Sequence, residues 1–215
     1  MDDKTTWGSK ETFDGSAPKK KEEIKATEIT TLKVEPRDNS HEIIFDNQFL
    51  KVKKSGKFMY AERKGVDSVA FILTATNASD ERRIGLINEF KPPIDSFLTT
   101  AFGGSVDKEE YKDNLKKLVV DEVLEEAGFT VSEENVKYYG RIFVSTQMSQ
   151  FCYLFAVDVD KRKQGDPTTT DPLEMKSSVV WMTLPEALNT EDWKAITIIT
   201  KRLAEKQSYA VVRPA

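Results

Sequence analysis

The sequence predicts an α+β domain built on a mixed sheet. Two observations carry that prediction. Apolar runs of strand length crowd the stretch from His41 to Gly104. A single long helical pattern then ends at Gly128, strands resume at Val136, and helices follow. That order lacks the strand–helix alternation of a doubly wound parallel sheet.

The elements follow from local chemistry. Ile43-Ile44-Phe45 and Phe49-Leu50-Lys51-Val52 flank Asp46-Asn47, a turn signal. Lys57-Phe58-Met59-Tyr60 follows Ser55-Gly56. Val66 to Leu73 reads as the strongest strand, and its continuous apolar half requires burial on both faces. Ile84 to Phe90 is another strand, ended by Pro92-Pro93. Phe97 to Gly104 leads into a helix from Lys108 to Ala127, stopped by Gly128. Val136–Val144 and Phe151–Val159 are strands, Asp166 to Pro172 is a loop, and Ser178–Met182 is a short strand. Leu184–Leu188 opens a helical turn. Glu191 to Lys206 is the last helix, with Trp193, Ile196, Ile199 and Leu203 at helical spacing. Ala210-Val211-Val212 reads as an edge strand or an interface.

The chain divides at about residue 40. Residues 1–40 are charged and poor in large apolar side chains. They are either a solvated tail or an N-terminal strand pair, around Ile24 to Val34, that takes part in a dimer. Residues 41–215 form the domain. The 215 residues suffice for a core without disulfides.

Composition excludes several classes. A net charge of −4 argues against nucleic acid as a bulk electrostatic partner. One cysteine, Cys152, and one histidine, His41, rule out Cys/His zinc clusters. No 18-residue apolar run exists, so no membrane helix is expected, and the N-terminus lacks a signal-peptide core. The expected compartment is the cytosol. Cys152 lies in the apolar run Phe151 to Phe155 and reads as a buried side chain.

The segment with its own chemistry is Asp121-Glu122-Val123-Leu124-Glu125-Glu126-Ala127-Gly128-Phe129. On a helix Glu122, Glu125 and Glu126 stand at i, i+3 and i+4 and share a face. Val120, Val123, Leu124 and Ala127 are expected on the opposite, packing arc. Three like charges at this spacing repel. A hard divalent cation compensates them, because it takes carboxylate oxygens as ligands. A bare run of this kind is otherwise a solvated face. Here it is set between Gly103-Gly104 and Gly128-Phe129.

That setting resembles the Nudix hydrolase family. The end of the family's signature appears in Glu122-Val123-Leu124-Glu125-Glu126-Ala127-Gly128-Phe129, and Gly104 is followed after five residues by Glu110. Glu89-Phe90-Lys91-Pro92-Pro93, Thr100-Ala101-Phe102-Gly103-Gly104 and Trp181 to Ala187 look like the branch that cleaves ADP-ribose and nucleotide sugars. The resemblance spans about residues 45–205. Five departures stand out. Asp121 takes the place of the motif's arginine, and ten residues instead of seven separate it from Glu110. Lys91 replaces an arginine, and Thr100 stands where the branch often has a metal-binding glutamate. The loop Ser145 to Gln150 carries no carboxylate.

The resemblance implies a mixed sheet sandwiched between helices. It also implies hydrolysis of the diphosphate in ADP-ribose or a related nucleoside diphosphate compound. Mg²⁺ or Mn²⁺ would be held by Glu122, Glu125, Glu126 and the carbonyl of Gly103. These three glutamates are the expected catalytic residues, with Glu125 the candidate base. Lys91, Arg63 and Gly104 are candidate substrate contacts, and Glu110 is expected behind the metal ligands. The branch commonly forms homodimers, so a dimer is expected. Asp121 and the missing loop carboxylate motivate a rival reading: a weak or inactive domain that binds a nucleotide or a protein.

Overall fold

The computed structural model describes residues 41–63, 67–76, 81–170, 172 and 174–211. The expected strand pair of the N-terminal extension lies outside them, as do Val66 and Val212. Among the described residues ten strands form one mixed sheet: β1 Glu42–Asp46, β2 Lys51–Ser55, β3 Phe58–Glu62, β4 Ser68–Thr76, β5 Arg82–Lys91, β6 Ser96–Thr100, β7 Phe102–Ser105, β8 Val136–Ser145, β9 Met148–Asp158 and β10 Ser178–Met182. The helices are α1 Glu109–Asp113, α2 Leu115–Ala127, α3 Leu184–Leu188 and α4 Trp193–Val211. The class is α+β. Along the sheet the order is β1-β2-β3-β9-β4-β5-β10, with β6 on β5, β7 on β4 and β8 on β9. The parallel pairings are β4 with β9 and β3 with β9, the latter through Ala61 and Met148.

β4 organises the interior. Its residues from Val69 to Ala75 are all buried, as an apolar run of that kind requires. Alternate side chains point to opposite faces. Val69, Phe71 and Leu73 pack with Leu115, Leu118, Val119 and Val123 of α2. Ala70 and Ile72 pack with Ala187 of α3 and Ala195, Ile198 and Ile199 of α4.

Two helical expectations are corrected. The helix from Lys108 to Ala127 is two helices, broken at Asn114 (φ −147°, ψ 87°). The Asn114 side chain accepts from the Lys117 amide at 3.3 Å and caps α2, a role asparagine fills better than a helix interior. The last helix runs to Val211, so Ala210 and Val211 extend α4 rather than forming an edge strand. The Asp46-Asn47 turn is present, with Asn47 Oδ1 accepting from the amides of Phe49 and Leu50 at 2.8 Å each. His41 hydrogen-bonds the Tyr60 hydroxyl at 2.7 Å beside β1. Among the described residues no helix is long and apolar enough to cross a membrane.

Within β2 and β3 the Lys53 ammonium meets Glu62 Oε2 at 2.9 Å, with side chains only 2% and 8% exposed.

Candidate active site

A cleft of about 810 Å³ opens at the end of the sheet where β4 and β9 begin. Ser68 and Val69 of β4, Gln150 and Cys152 of β9, and Gly103 and Gly104 of β7 line it. So do Glu122, Glu125 and Glu126 of α2, together with Arg63 and Lys91. Every candidate residue except Glu110 therefore borders one cavity. Glu110 lies on α1, exposed, with an oxygen 3.7 Å from the Lys117 ammonium.

The inward stripe of α2 explains how carboxylates reach this cavity. Leu115, Leu118, Val119, Val123 and Ala127 are buried. They follow the i, i+3, i+4, i+8, i+12 progression of a packing face. Glu122 and Glu126 occupy the i+7 and i+11 positions of that same progression. The expected separation into opposite arcs is therefore corrected: two glutamates stand on the packing face, where it borders the cleft. They are half-buried, whereas Glu125 is exposed. Leu124, expected to pack, is 40% exposed.

Gly104 is the surface on which Glu122 rests. A Cβ added there would lie 2.4 Å from Glu122 Oε1 and 2.7 Å from its carboxyl carbon. Any other residue would displace the carboxylate. Glu126 Oε2 is shut off from solvent.

Asp121 is not a fourth uncompensated charge. Its Oδ2 accepts from the Lys117 ammonium at 2.8 Å and from the Tyr111 hydroxyl at 3.0 Å. Burial and the bond to Asp121 push the Tyr111 hydroxyl above its ordinary pKa, so it remains a donor at neutral pH. The Lys108 ammonium completes the cluster, 3.3 Å from that hydroxyl. A lysine one turn back thus neutralises the Asp121 carboxylate, and a buried tyrosine hydroxyl hydrogen-bonds it.

The remaining candidates also have partners. Arg63 donates to Ser105 Oγ at 3.2 Å. Lys91 pairs with Glu89, whose Oε1 also accepts from Thr100 Oγ1 at 2.9 Å. Glu89, Lys108 and Lys194 line the cleft without having been given a site role from the sequence, and so does Trp193, which reads there as a core aromatic more readily than as a platform for a nucleobase. They come from β5, from the approach to α1 and from the start of α4, and no local motif marks them. Burial raises the Cys152 thiol pKa, which suits a packed side chain rather than a nucleophile.

The far end of α2 is strapped down by a later loop. Gly128 has φ +71° and its amide donates to Leu124 O at 3.1 Å, the left-handed cap that glycine serves best. Gly165 N donates to Gly128 O at 2.8 Å, and a Cβ on Gly128 would sit 2.2 Å from Gly165 O. The amides of Thr168 and Thr169 donate to Glu125 O at 3.0 and 3.2 Å, and Gln164 Nε2 to Ala127 O at 3.2 Å. The carbonyls of Glu125, Ala127 and Gly128 are thereby satisfied.

The described lining includes six carboxylates (Glu89, Asp107, Asp121, Glu122, Glu125, Glu126) and four cations (Arg63, Lys91, Lys108, Lys194). Such a balance attracts cations. Among the described residues no three His, Cys, Asp or Glu side chains are gathered into a preformed metal cage. The three glutamates share one helical turn and one cavity.

No family model matches the chain, and no curated protein does. The crystal structure of an ADP compounds hydrolase is similar in fold, with a TM-score of 0.58 and 11% identity over 84% of this chain and 99% of that one. At that identity the likeness is one of fold.

Proposed function

We propose that the chain is a metal-dependent pyrophosphatase of the Nudix type. It hydrolyses the diphosphate of ADP-ribose or a related nucleoside diphosphate compound and releases a nucleoside monophosphate. The observation that carries this reading is the acidic turn of α2 set into a cleft over Gly104. The fold likeness to an ADP compounds hydrolase supports it.

The donor set fits Mg²⁺ or Mn²⁺. Glu122, Glu125 and Glu126 offer hard carboxylate oxygens, and Gly103 offers a carbonyl on a residue without a side chain. Mg²⁺ keeps several waters and borrows substrate phosphate oxygens, so it needs no three-carboxylate cage in advance. When bound, such an ion neutralises phosphate charge and acidifies a coordinated water. The chain's own residues do the rest. Gly104 leaves room for Glu122, whose negative charge is held at the cavity floor. Glu125, exposed and in the cleft, takes the proton of the attacking water, since Ser145 to Gln150 supply no carboxylate. Lys91 and Arg63 contact the phosphates from the other rim. Glu110, paired with the Lys117 ammonium at 3.7 Å, steadies the Asp121 cluster from behind.

The test is a substrate panel with and without EDTA, read as nucleoside monophosphate by chromatography. EDTA-sensitive AMP from ADP-ribose is the expected result. Silence across ADP-ribose, NADH, diadenosine polyphosphates and nucleotide sugars by folded protein with Mg²⁺ would replace this reading with the rival one, a nucleotide- or protein-binding domain without turnover. The loop lacking a carboxylate is what favours that rival.

The same proposal includes a homodimer in the cytosol. Ile43, Phe45, Phe49, Phe58 and Met59 of the β1–β3 region are each at least half exposed, an apolar surface that a second copy would cover. Sedimentation equilibrium is expected to give a dimer at micromolar concentration and F58K to shift it toward monomer. A monomeric wild type would remove this part of the proposal.

A further inference from the structure

We propose that Trp193 is the platform on which the nucleobase of the substrate stacks. The inference rests on the reading of the cleft as a nucleoside diphosphate site and names the part of the ligand that the acidic turn does not hold.

The cleft has two walls of different chemistry. α2 packs with Val69 and Phe71, and α4 packs with Ala70 and Ile72, on the opposite face of the same strand. The acidic turn and the first turn of α4 therefore approach the sheet end from its two sides. Ser68 and Val69 belong to the lining between them. One wall is built for charge. The other presents an indole.

Trp193 is the first residue of α4, borders the cleft, and is 43% exposed. Tryptophan is a large apolar surface that folding normally covers. Here it is left open beside Lys194 in a cavity otherwise dominated by charged and polar groups. Trp181 offers a contrast. Its ring is met edge-on by Phe129 and covered by the Lys161 ammonium at 4.5 Å. Among the described residues the Trp193 ring has no aromatic or cationic partner.

The backbone beneath the indole is held in place. Asp192 is buried, and its carboxylate accepts from the amides of Lys194 at 3.2 Å and Ala195 at 3.4 Å, capping α4. The same carboxylate accepts from the Ala101 amide at 2.8 Å, two residues before Gly103. One side chain thus ties the start of α4 to the residue that leads into β7, the strand that carries the glycine pair. A flat ring can stack on an indole so placed with little loss of chain entropy. A nucleoside diphosphate has a charged end and a flat aromatic end, and the two walls offer a partner for each.

The experiment is calorimetric titration of the full chain, in Mg²⁺ buffer, with AMP and with ribose 5-phosphate. It compares wild type, W193F and W193A. Base–aromatic stacking predicts a loss of about 10-fold in AMP affinity for W193A. W193F should stay within about threefold of wild type, and ribose 5-phosphate should bind all three proteins alike. Equal AMP affinity in the three proteins, an equal loss for ribose 5-phosphate, or no AMP binding by the wild type overturns the platform. The outcome is separable from the fate of the hydrolase reading. AMP binding that responds to Trp193 without diphosphate cleavage keeps the platform and removes the enzyme. Cleavage of ADP-ribose with an unchanged KM in W193A does the reverse.

Discussion

E126Q is expected to lower metal-dependent turnover by about 10²- to 10³-fold while leaving the fold intact. Glutamine keeps the shape of the side chain and removes its charge. Glu126 Oε2 is closed to solvent at the sheet end, so the amide would take the place of a charged oxygen that bulk water does not reach. Glu122 stands one turn back on the same stripe, and like charges at i, i+4 repel. Removing one should therefore leave the melting temperature unchanged or raise it. Falling activity with steady or rising stability is the signature of a functional carboxylate. Turnover within a few-fold of wild type, in a protein that still requires Mg²⁺, would sink the assignment of the acidic turn.

The second large effect is on stability. K53M is expected to cost about 3–5 kcal/mol in urea unfolding, because it leaves the Glu62 carboxylate buried without its ammonium. Both partners are almost fully enclosed, so solvent screens the pair little. Replacing both, as in K53M/E62L, is expected to recover most of the loss, since a buried ion pair contributes little beyond an apolar pair of similar volume. A single variant as stable as the wild type would mean that the pair is solvated in solution.

How much of this was legible in the sequence depends on the range of the interaction. The apolar run of β4 forces burial on both faces, and the strand is where that run lies. Glu122, Glu125 and Glu126 share a helical turn by local geometry alone, and they do border one cleft. What the 3.6-residue period did not reveal is which arc faces inward. That depends on Leu115 and Leu118, a full turn or more upstream, and on how they pack against β4. Asn114 is ambiguous in the chain, since asparagine is tolerated within helices and favoured at their starts. The neutralisation of Asp121 draws on Tyr111, which lies across the break between α1 and α2. Trp193 has helical spacing with Ile196 and Ile199 and so reads as core. Its position as the first residue of α4, bordering the cleft, leaves it open.

The strap over α2 sets an order of events during synthesis. The carbonyls of Glu125, Ala127 and Gly128 wait for donors at Gln164, Gly165, Thr168 and Thr169. Those donors emerge from the ribosome only after the whole β8–β9 hairpin has been made. The nascent helix can form early, but its carboxylate-bearing turn has no finished C-terminus until the chain has passed Thr169. Truncated chains released before that point would carry the acidic motif without the structure that holds it in place.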